Sequence, residues 1–425
     1  MNDDASVCPS NPQDERKGSS AEKSYPAFSI RDHELMARAL RLAERGVCTT
    51  QPNPRVGCVI ACGDEVVGEA WHRHAGGPHA EVFALGAAGD RARGATAYVT
   101  LEPCGLHGRT PPCADALIAA GVARVVIASE DAFQYAGGAL DRLRAAGIAV
   151  EAGLMRAPAR ELNRGFFSRV EHGRPWLRVK LAMSLDGRTA LANGESKWIT
   201  GDAARADVQR WRARSSVILT TIGTVLADDP RLTVRPESMD TLSPRGGGQG
   251  EGDAGERCAL VDTSPQPHPL PSGEREKDVS IPALRVVLDS TLRTPRGARV
   301  LDGSAPTLLL HARDAAVVDD RFASVELTAV ETGAYGLDFD DVLRVLAARG
   351  ANEVQVEAGA TLCGALFAAG VVDELLLYVA PVLLGDTARP LLALPPLADM
   401  AARWKMRIVD HRQVGDDMRL LLRSS

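Results

Sequence analysis

The sequence predicts an α/β protein with two domains. At 425 residues the chain exceeds the length of one ordinary hydrophobic core, so two domains are expected. Amphipathic helical segments alternate with short β-branched strands along most of the chain, and this alternation is typical of a sheet covered by helices on both faces. The first alternating unit closes near Val170 and a second begins at Arg174, which places the domains at residues 29–172 and 173–425.

The first domain is predicted to contain four helices and five strands. Leu35, Ala39 and Leu42 fall near one face of a helical wheel, which indicates an amphipathic first helix. The predicted helices cover residues 32–44, 79–87, 114–120 and 138–146, and the predicted strands residues 56–61, 65–70, 96–102, 124–129 and 148–151. Because helices and strands are interleaved, we expect a three-layer αβα domain.

The second domain repeats this alternation and ends in a hairpin. The predicted strands cover residues 177–183, 216–221, 284–289, 307–311, 353–357 and 374–379, the predicted helices residues 202–213, 339–349 and 359–369, and the hairpin residues 404–409 and 418–423. Parallel strands joined through helices, together with a closing hairpin, predict an α/β domain with a mixed sheet.

Two segments have compositions that cannot build a core. Residues 1–28 are polar and lack a hydrophobic period, which predicts a disordered tail. Between residues 236 and 282 a glycine-rich run, Gly246–Gly252, and an alternating proline run, Pro265–Pro271, predict a flexible surface insertion. Cys258 lies in this insertion, so we expect no functional role for it.

The charge and the apolar content argue against two classes of partner. The net charge of −6, from 49 basic and 55 acidic residues, argues against a general nucleic-acid binder. No apolar run approaches the length of a membrane span, so no membrane partner is expected. The eight cysteines are thinly spread and follow no signal peptide, which favours cytosolic thiols. We therefore expect a cytoplasmic enzyme.

Four residues form the most specific pattern in the chain: His79, Glu81, Cys104 and Cys113. One imidazole and two thiolates give a zinc ion three protein ligands and leave a fourth position for water, whose ionisation the metal brings near neutral pH. Glu81 lies two residues from the histidine and can carry that water's proton without binding the metal. Zinc deaminases that act on cytosine or adenine rings share this pattern, which predicts hydrolytic removal of a ring amine.

Two other interpretations of this pattern stay open at this point. A structural zinc site is normally closed by four protein ligands, and His107 is available as the fourth, although Glu81 would then have no role. Free cysteines that only pack in a core are a further alternative. The spacing also departs from the common nucleobase deaminase, which has two residues between its cysteines where this chain has eight.

Longer motifs surround these four residues. The runs Pro52–Ile60, His72–Glu81 and Gly108–Cys113 closely resemble the deaminase half of the bifunctional riboflavin biosynthesis proteins, a family that the wide cysteine spacing fits. The resemblance implies a fold like that of cytidine deaminase. It also implies zinc ligation by His79, Cys104 and Cys113, with Glu81 as the proton donor and acceptor.

By the same resemblance the substrate is a diaminopyrimidinone that carries a 5-phosphoribosylamino group. Asn53 suits recognition of the ring edge, and His72 and Arg109 suit contact with the sugar phosphate, since the fork of an arginine fits phosphate oxygens. From the residues alone, Asn53 is also consistent with a turn between two prolines. His72 is also consistent with an ordinary, partly buried histidine.

The second domain carries its own motifs. Lys180–Thr189, Gly194–Thr200, Gly223–Pro230 and Glu357–Leu362 resemble the reductase half of the same family, whose fold is similar to dihydrofolate reductase. The resemblance implies NADPH-dependent reduction of the deaminated product, which opens its ribosyl group to ribityl. It places the cofactor at Ala182, Trp198, Thr224, Asp228, Ser290 and Gly359. It places the substrate at Lys180, Ser196, Arg212, Leu232, Arg235 and Glu357.

The residues themselves support this second assignment less strongly. No Gly-x-Gly-x-x-Gly follows a strand, so a Rossmann unit is not indicated. Gly359 stands where a phosphate can approach the free N–H groups of a helix, although turn glycines are also common there. Arg212 suits a 5-phosphate but also a solvated helix face, and Trp198 also suits a core. No residue is an evident proton donor in the reduction.

Three functions are compared on these grounds. The first is a two-step enzyme of riboflavin biosynthesis that binds one zinc ion and NADPH, acts on small phosphoribosylaminopyrimidines and forms a homodimer or homotetramer. The second is a polynucleotide base deaminase with a fused binding domain, which requires a basic groove and aromatic platforms. Aromatic residues make up only 4% of the chain and its charge is acidic, which disfavours that function. The third is a structural zinc module joined to an interaction domain. We adopt the first.

Overall fold

The computed structural model describes residues 28–106, 111–131, 138–197, 199–235, 282–316 and 320–424. The predicted tail apart from Phe28, and the predicted insertion apart from Pro282, lie outside the described residues, as do Cys8 and Cys258. Among the described residues, no helix is both long enough and apolar enough to span a bilayer.

The N-terminal unit, from α1 to α6, contains a sheet that has five described strands in the order β2-β1-β3-β4-β5. The strands are β1 Gly57–Cys62, β2 Glu65–Trp71, β3 Thr96–Leu101, β4 Arg124–Ser129 and β5 Ala149–Ala152. The helices are α1 Ile30–Glu44, α2 Ala80–Ala88, α3 Cys113–Ala120, α4 Ala139–Ala145, α5 Arg156–Leu162 and α6 Arg164–His172. β1 is antiparallel to β2 and β3, whereas β3, β4 and β5 are parallel.

Alternate side chains of this sheet enter two different cores. On β1, Val59 and Ala61 pack with α1 and α5, while Cys58 and Ile60 pack with α2, α3 and α4. This period of two is what a strand covered on both faces requires. The predicted three-layer αβα architecture is therefore confirmed.

Helix α1 is fixed at its start and along its length. Ser29 and Asp32 form a capping box, in which Asp32 N–H donates to Ser29 Oγ at 3.1 Å and Ser29 N–H donates to the Asp32 carboxylate at 2.8 Å. Further along, a Cβ built at Gly57 would lie 1.9 Å from the carbonyl oxygen of Ala39. The glycine of the Pro52–Ile60 motif thus allows α1 to lie directly on β1.

Helices α5 and α6 are absent from the sequence prediction. Pro158 lies inside α5 and Gly165 inside α6, and both residue types weaken a helical pattern. Pro158 is tolerated because it lies in the first turn of α5. Phe166 and Phe167 of α6 are buried together with Leu101. The two helices complete the N-terminal unit and lead directly into β6.

The C-terminal unit, from β6 to β18, contains a sheet that has nine described strands in the order β11-β10-β9-β8-β14-β6-β15-β18-β17. Its strands are β6 Trp176–Ser184, β8 Val217–Thr221, β9 Leu284–Leu288, β10 Thr307–Ala312, β11 Glu326–Val330, β14 Glu353–Val356, β15 Glu374–Ala380, β17 Met406–Val414 and β18 Asp417–Ser424. The short strands are β7 Arg188–Ala190, β12 Thr332–Gly333, β13 Gly336–Leu337 and β16 Arg389–Pro390. The helices are α7 Asp202–Ala213, α8 Ile222–Asp228, α9 Phe339–Ala348 and α10 Ala360–Ala368.

This larger sheet is mixed, as predicted. The strands from β11 to β15 in the sheet order are parallel, and β15-β18-β17 are antiparallel. The sequence prediction omits α8 and β11. Helix α8 has only seven residues and follows β8 without a loop, so that it resembles a continuation of the strand in sequence.

The two faces of the larger sheet differ. One face packs against α9 and α10 in a continuous apolar core. The opposite face has an apolar cluster with α8 and another with α7. Between these clusters, β6, β14 and the residue after β14 place polar side chains at alternate positions, which we call the polar stripe: Arg178, Lys180, Glu353, Gln355 and Glu357. Central parallel strands are usually apolar on both faces, so this stripe points to a function.

Candidate functional sites

The start of α2, the start of α3 and the loop after β3 converge on one point. His79 precedes the first residue of α2, Cys113 is the first residue of α3, and Cys104 follows β3. Their ligand atoms all lie within 4.8 Å of one another. His79 Nδ1 is 3.3 Å from Cys113 Sγ and 3.5 Å from Cys104 Sγ. The geometry therefore fits a single metal ion held by one nitrogen and two sulfurs.

The chemistry of the two thiols also fits a metal. Contact with Cys113 lowers the pKa of Cys104 to about 4, and the same contact raises the pKa of Cys113. Cys113 N–H, at the start of α3, donates to Cys104 Sγ at 3.1 Å, which favours a thiolate there. A thiol with a lowered pKa beside a second thiol suits a divalent cation, whose binding releases thiol protons.

Glu81 lies in the first turn of α2, beside this centre. Its side chain is buried, with 3% of the residue exposed, and burial raises its pKa above the ordinary value. Its Oε2 atom is buried and has no hydrogen-bond donor within the part of the chain that the structure describes. A buried carboxyl oxygen without a donor is costly unless a ligand completes it, which fits a group that exchanges protons with a bound substrate.

His72 and Asn53 form a hydrogen-bonded pair next to the metal ligands. His72 is buried, and burial lowers its pKa to about 4, so its ring is neutral. His72 Nδ1 lies 3.0 Å from the carbonyl of Pro78 and must donate to it, which leaves Nε2 as an acceptor. Asn53 Nδ2 donates to that Nε2 at 3.1 Å. The ring of His72 also lies edge-to-face against His79, with centroids 5.4 Å apart.

The hydrogen bond with His72 determines how the amide of Asn53 is oriented. Because Nδ2 of Asn53 faces His72, its Oδ1 must point the other way and can accept from an N–H group. Both nitrogens of His72 already have partners in the protein, so its role in this arrangement is to orient Asn53. Arg109 and His107 lie outside the described residues.

The C-terminal end of the polar stripe forms a second site. Arg212 on α7 donates to both carboxylate oxygens of Glu357, each at 2.7 Å. Lys180 on β6 is desolvated, which lowers its pKa, and Glu357 opposes that shift. Gln355 Nε2 donates to Glu357 Oε1 at 2.8 Å and Thr220 Oγ1 donates to the Glu357 carbonyl at 2.7 Å. Three predicted substrate residues are therefore brought together around one carboxylate.

The segment after α8 is attached to the same helix. Arg212 Nη1 donates to the carbonyl of Thr233 at 3.0 Å, and Arg235 N–H donates to Gln209 Oε1 at 3.0 Å. Leu232 is buried and has a positive φ of 53°. Arg235 and Ser196 are both exposed. Leu232 and Arg235 thus lie on a segment held against α7, and Ser196 lies on an exposed loop.

The predicted cofactor residues lie on neighbouring strands. Ala182 is on β6, Thr224 and Asp228 are on α8 directly after β8, Ser290 follows β9, and Gly359 precedes α10 after β14. Since β9, β8, β14 and β6 are adjacent and parallel, these positions fall at one edge of the sheet. A Cβ built at Gly359 would meet no atom within 4 Å, so the start of α10 is open to a ligand. Trp198 lies outside the described residues.

Sequence reasoning missed two polar residues of this second site, Gln355 and Thr220, both of which bond Glu357. The signal that could have found them is polarity on a central strand. In the run Glu353–Glu357, every second residue is polar although the strand lies in the middle of the sheet.

A three-layer αβα domain with a His–Cys–Cys centre and a buried glutamate defines a metal-dependent deaminase, here fused to a second α/β domain with a polar site at its strand ends. Two families match the chain. The cytidine and deoxycytidylate deaminase zinc-binding region matches residues 29–129, and the RibD C-terminal domain matches residues 175–420.

Relatives match nearly the whole chain. The riboflavin biosynthesis protein RibD of Escherichia coli is 45% identical, over 92% of this chain and 99% of its own length. The protein of the same name from Haemophilus influenzae is 42% identical, over 92% and 97%. The chain therefore belongs to the riboflavin biosynthesis protein RibD family, and it is an enzyme with deaminase and reductase activities.

Solved structures agree with this assignment. Acinetobacter baumannii RibD, form 1, superposes with a TM-score of 0.79 at 39% identity, over 93% of this chain and 99% of that one. A diaminohydroxyphosphoribosylaminopyrimidine deaminase/5-amino-6-(5-phosphoribosylamino)uracil reductase from Thermotoga maritima superposes with a TM-score of 0.74 at 27% identity, over 93% and 99%. The predicted fold class and bifunctional role are confirmed, and the polynucleotide deaminase alternative is not favoured.

Proposed function

We propose that the chain deaminates 2,5-diamino-6-(5-phosphoribosylamino)pyrimidin-4(3H)-one in a domain of residues 29–172. In a domain of residues 173–425 it then reduces 5-amino-6-(5-phosphoribosylamino)uracil with NADPH. The observation that carries the proposal is the His–Cys–Cys cluster, with both cysteines buried, beside a glutamate whose Oε2 lacks a donor among the described residues. The Thermotoga relative, whose name states both reactions, supports the substrate assignment.

In the deaminase site, His79, Cys104 and Cys113 hold one zinc ion, which supplies Lewis-acid activation of water when bound. Glu81 takes one proton from the attacking water and gives it to the ring nitrogen. It then takes the second proton from the new hydroxyl at ring carbon 2 and gives it to the leaving amine, so that a carbonyl and ammonia result. The raised pKa of Glu81 suits a group that must both take and give a proton.

Substrate recognition in this site falls to three further residues. Asn53 accepts from an N–H group at the ring edge through Oδ1. His72 contributes by holding the amide of Asn53 in that orientation. Arg109 binds the 5-phosphate, for which its guanidinium fork is suited.

In the reductase site, NADPH supplies a hydride to C1′ of the opened sugar. The protein orients it through Ala182, Trp198, Thr224, Asp228, Ser290 and Gly359. The open start of α10 at Gly359 supports contact with a phosphate, because the first N–H groups of a helix lack partners within it.

The reductase substrate is held by Lys180, Ser196, Arg212, Leu232, Arg235 and Glu357. Among the described residues, Arg212 donates one hydrogen each from Nε, Nη1 and Nη2 to protein acceptors. The second hydrogens of Nη1 and Nη2, together with the exposed Arg235, are proposed to bind the 5-phosphate. Glu357 stays ionised beside Arg212 and can accept from a sugar hydroxyl.

A homo-oligomer, as a dimer or tetramer, is part of the proposal. Strand β17 lies at an edge of the larger sheet. Ile408 on β17 exposes 53% of its surface, and Met418 on the neighbouring strand β18 exposes 41%. An open edge with apolar side chains favours pairing with another chain. The cytoplasm is the proposed location, since Cys104 and Cys113 can bind metal only while reduced. Light scattering of the purified protein tests the oligomer.

A coupled assay tests the two reactions. With the zinc-loaded enzyme, the diaminopyrimidinone substrate should release one ammonia per molecule, and NADPH should then be oxidised in equal amount. Direct addition of the phosphoribosylaminouracil should oxidise NADPH without releasing ammonia. Release of ammonia from single-stranded RNA, with none from the small substrate, would instead support the polynucleotide deaminase.

A further inference from the structure

The deaminase loop that carries Asn53 is attached to the C-terminal unit. This recognition loop, Thr50–Arg55, joins α1 to β1. Asn53 bonds His72, whose ring lies against His79 of the metal cluster. Its neighbours Gln51, Pro52 and Arg55 instead contact residues of the C-terminal unit. The loop therefore has one face toward the deaminase site and another toward the larger sheet.

Gln51 is held at both ends of its amide by the turn between α7 and β8. Its Nε2 donates to the carbonyl of Arg214, and its Oε1 accepts from Ser216 Oγ. Ser216 Oγ in turn accepts from the N–H groups of Asn352 at 2.9 Å and Glu353 at 3.2 Å. One hydroxyl thus connects the recognition loop to the start of β14.

Pro52 is held by a second pair of contacts. Asn352 Nδ2 donates to the carbonyl of Pro52 at 3.0 Å, and Asn352 is 5% exposed. Arg169 of α6 donates to the same carbonyl at 3.2 Å and to Asn352 Oδ1 at 2.7 Å. The carbonyl that immediately precedes Asn53 is therefore fixed by a side chain of the C-terminal unit.

Arg55 completes the attachment as a buried ion pair. Its Nη2 donates to Glu353 Oε1 at 2.9 Å, with 5% and 1% of the two side chains exposed. Burial opposes ionisation of Glu353, but Arg214 and Arg55 hold its pKa well below the usual value. Asn163 bonds both the N–H of Arg55, at 2.8 Å, and its carbonyl, at 2.9 Å. Both sides of Asn53 are thus anchored.

We propose that Ser216 and Asn352 of the reductase domain are positioning residues for the deamination reaction, because they hold the loop that presents Asn53. The inference rests on the role proposed for Asn53. Both residues lie at the N-terminal ends of β8 and β14. The reductase site lies at the opposite ends, and Glu353 and Glu357 are four residues apart, or about 13 Å along a strand. Altering these two residues should therefore affect the distant deaminase site and spare the reductase site of their own domain.

The test uses the full-length, zinc-loaded enzyme with three substitutions. Ser216→Ala removes the hydroxyl that bonds Gln51, and Asn352→Asp keeps the acceptor for Arg169 while losing the donor to Pro52. Each should raise the deaminase KM about 3- to 10-fold, as expected for loss of one or two hydrogen bonds, with a smaller change in kcat. Reductase KM and kcat and the zinc content should not change. Glu161→Gln is the matched control, because it removes the charge that α5 presents to Arg423 of the C-terminal unit and lies outside the recognition loop.

A double-substitution cycle sharpens the test. In a Gln51→Ala background, Ser216→Ala should add little further increase in deaminase KM, because the hydrogen bond through which Ser216 holds the recognition loop is already missing. Wild-type deaminase kinetics in both Ser216→Ala and Asn352→Asp would overturn the inference. So would zinc loss in proportion to activity, or an equal decline of both activities, since those results indicate a purely structural role. Failure of the wild type to release ammonia would instead reject the proposed function.

Discussion

Glu81 in the N-terminal unit is a buried carboxyl group and Glu357 in the C-terminal unit is a half-buried one, and their pKa values move in opposite directions. Burial raises the pKa of Glu81, whose Oε2 has no donor among the described residues. Burial opposes ionisation of Glu357 too, but the guanidinium of Arg212 lowers its pKa to about 2. The neighbours of each group, more than its depth, determine its charge.

This difference separates two kinds of chemical role. A carboxyl group with a raised pKa gains a proton more readily than an ordinary glutamate, which suits a hydrolytic deamination in which protons pass to the substrate. A carboxylate held by a bidentate arginine stays ionised and serves to orient a ligand. The comparison therefore predicts that the deaminase site depends on proton exchange by Glu81. It predicts that the reductase site depends on the fixed ion pair between Glu357 and Arg212. The following experiments are ordered from the largest expected effect to the smallest.

Removal of the metal should separate the two sites most strongly. After treatment with a chelator, we expect deamination to stop, because the His–Cys–Cys cluster is the only potential metal site identified among the described residues. NADPH oxidation with the deaminated substrate should stay within about two-fold of its original rate, because no cluster of metal-ligating side chains is found among the described residues of the second site. Ammonia release, NADPH absorbance and metal analysis measure the effect, and added zinc should restore deamination. Deamination by metal-free protein would contradict the assignment.

Glu81→Gln should have the next largest effect on deamination. The amide keeps the size of the side chain but cannot carry a proton, so ammonia release should fall by about 10²- to 10⁴-fold. Zinc content and reductase kinetics should match those of the wild type, because Glu81 is not among the metal ligands. Wild-type turnover in Glu81→Gln would show that deamination does not depend on proton exchange by Glu81.

The first site could be predicted from sequence because its residues occupy short motifs. His79 and Glu81 are two positions apart, and a strand and a helix start place Cys104 and Cys113 beside them. The metal limits the distance between ligands, so the residue types and their spacing carry most of the information. Most helices and strands of both units were also predicted within one or two residues, since their apolar periods are regular.

The rest depended on tertiary contacts that no local pattern contains. Arg212 resembles a solvated residue of α7 in sequence, yet in the structure it pairs with Glu357, which is 145 positions away. Recognition of Arg55 as an anchor likewise needs the position of Glu353, 298 residues further on. Such pairs are created when strands assemble in the order β8-β14-β6, which the sequence does not state.

Arg212→Ala should affect the second site and its stability together. The substitution leaves Glu357 as a half-buried carboxylate without its main partner, which should cost about 3 kcal/mol in the free energy of unfolding, the low end of the range for breaking a buried ion pair. Reductase KM should rise as the substrate site loses its orientation, whereas deaminase kinetics should be unchanged. Arg212→Lys is the matched control, because it keeps the charge but loses the bidentate geometry. Its stability and its reductase KM should lie between those of the wild type and those of Arg212→Ala. Urea unfolding and both assays measure these effects, and an unaffected reductase would show that the ion pair is only structural.

The dependence of stability on pH should reveal the same ion pair with a smaller effect. The pKa of Glu357 is about 2 in the folded protein, below the value of about 4.3 for an unfolded glutamate, so its stabilising contribution is complete above pH 4.3. That contribution is lost as the pH falls toward 2, and its full size is roughly 3 kcal/mol. Glu357→Gln cannot ionise and should be less stable than the wild type at pH 7. The difference in melting temperature between the two proteins should narrow below pH 4.3 and approach zero near pH 2. A constant difference across this range would show that Glu357 is not held ionised by Arg212, and the contrast with Glu81 would lose its physical basis.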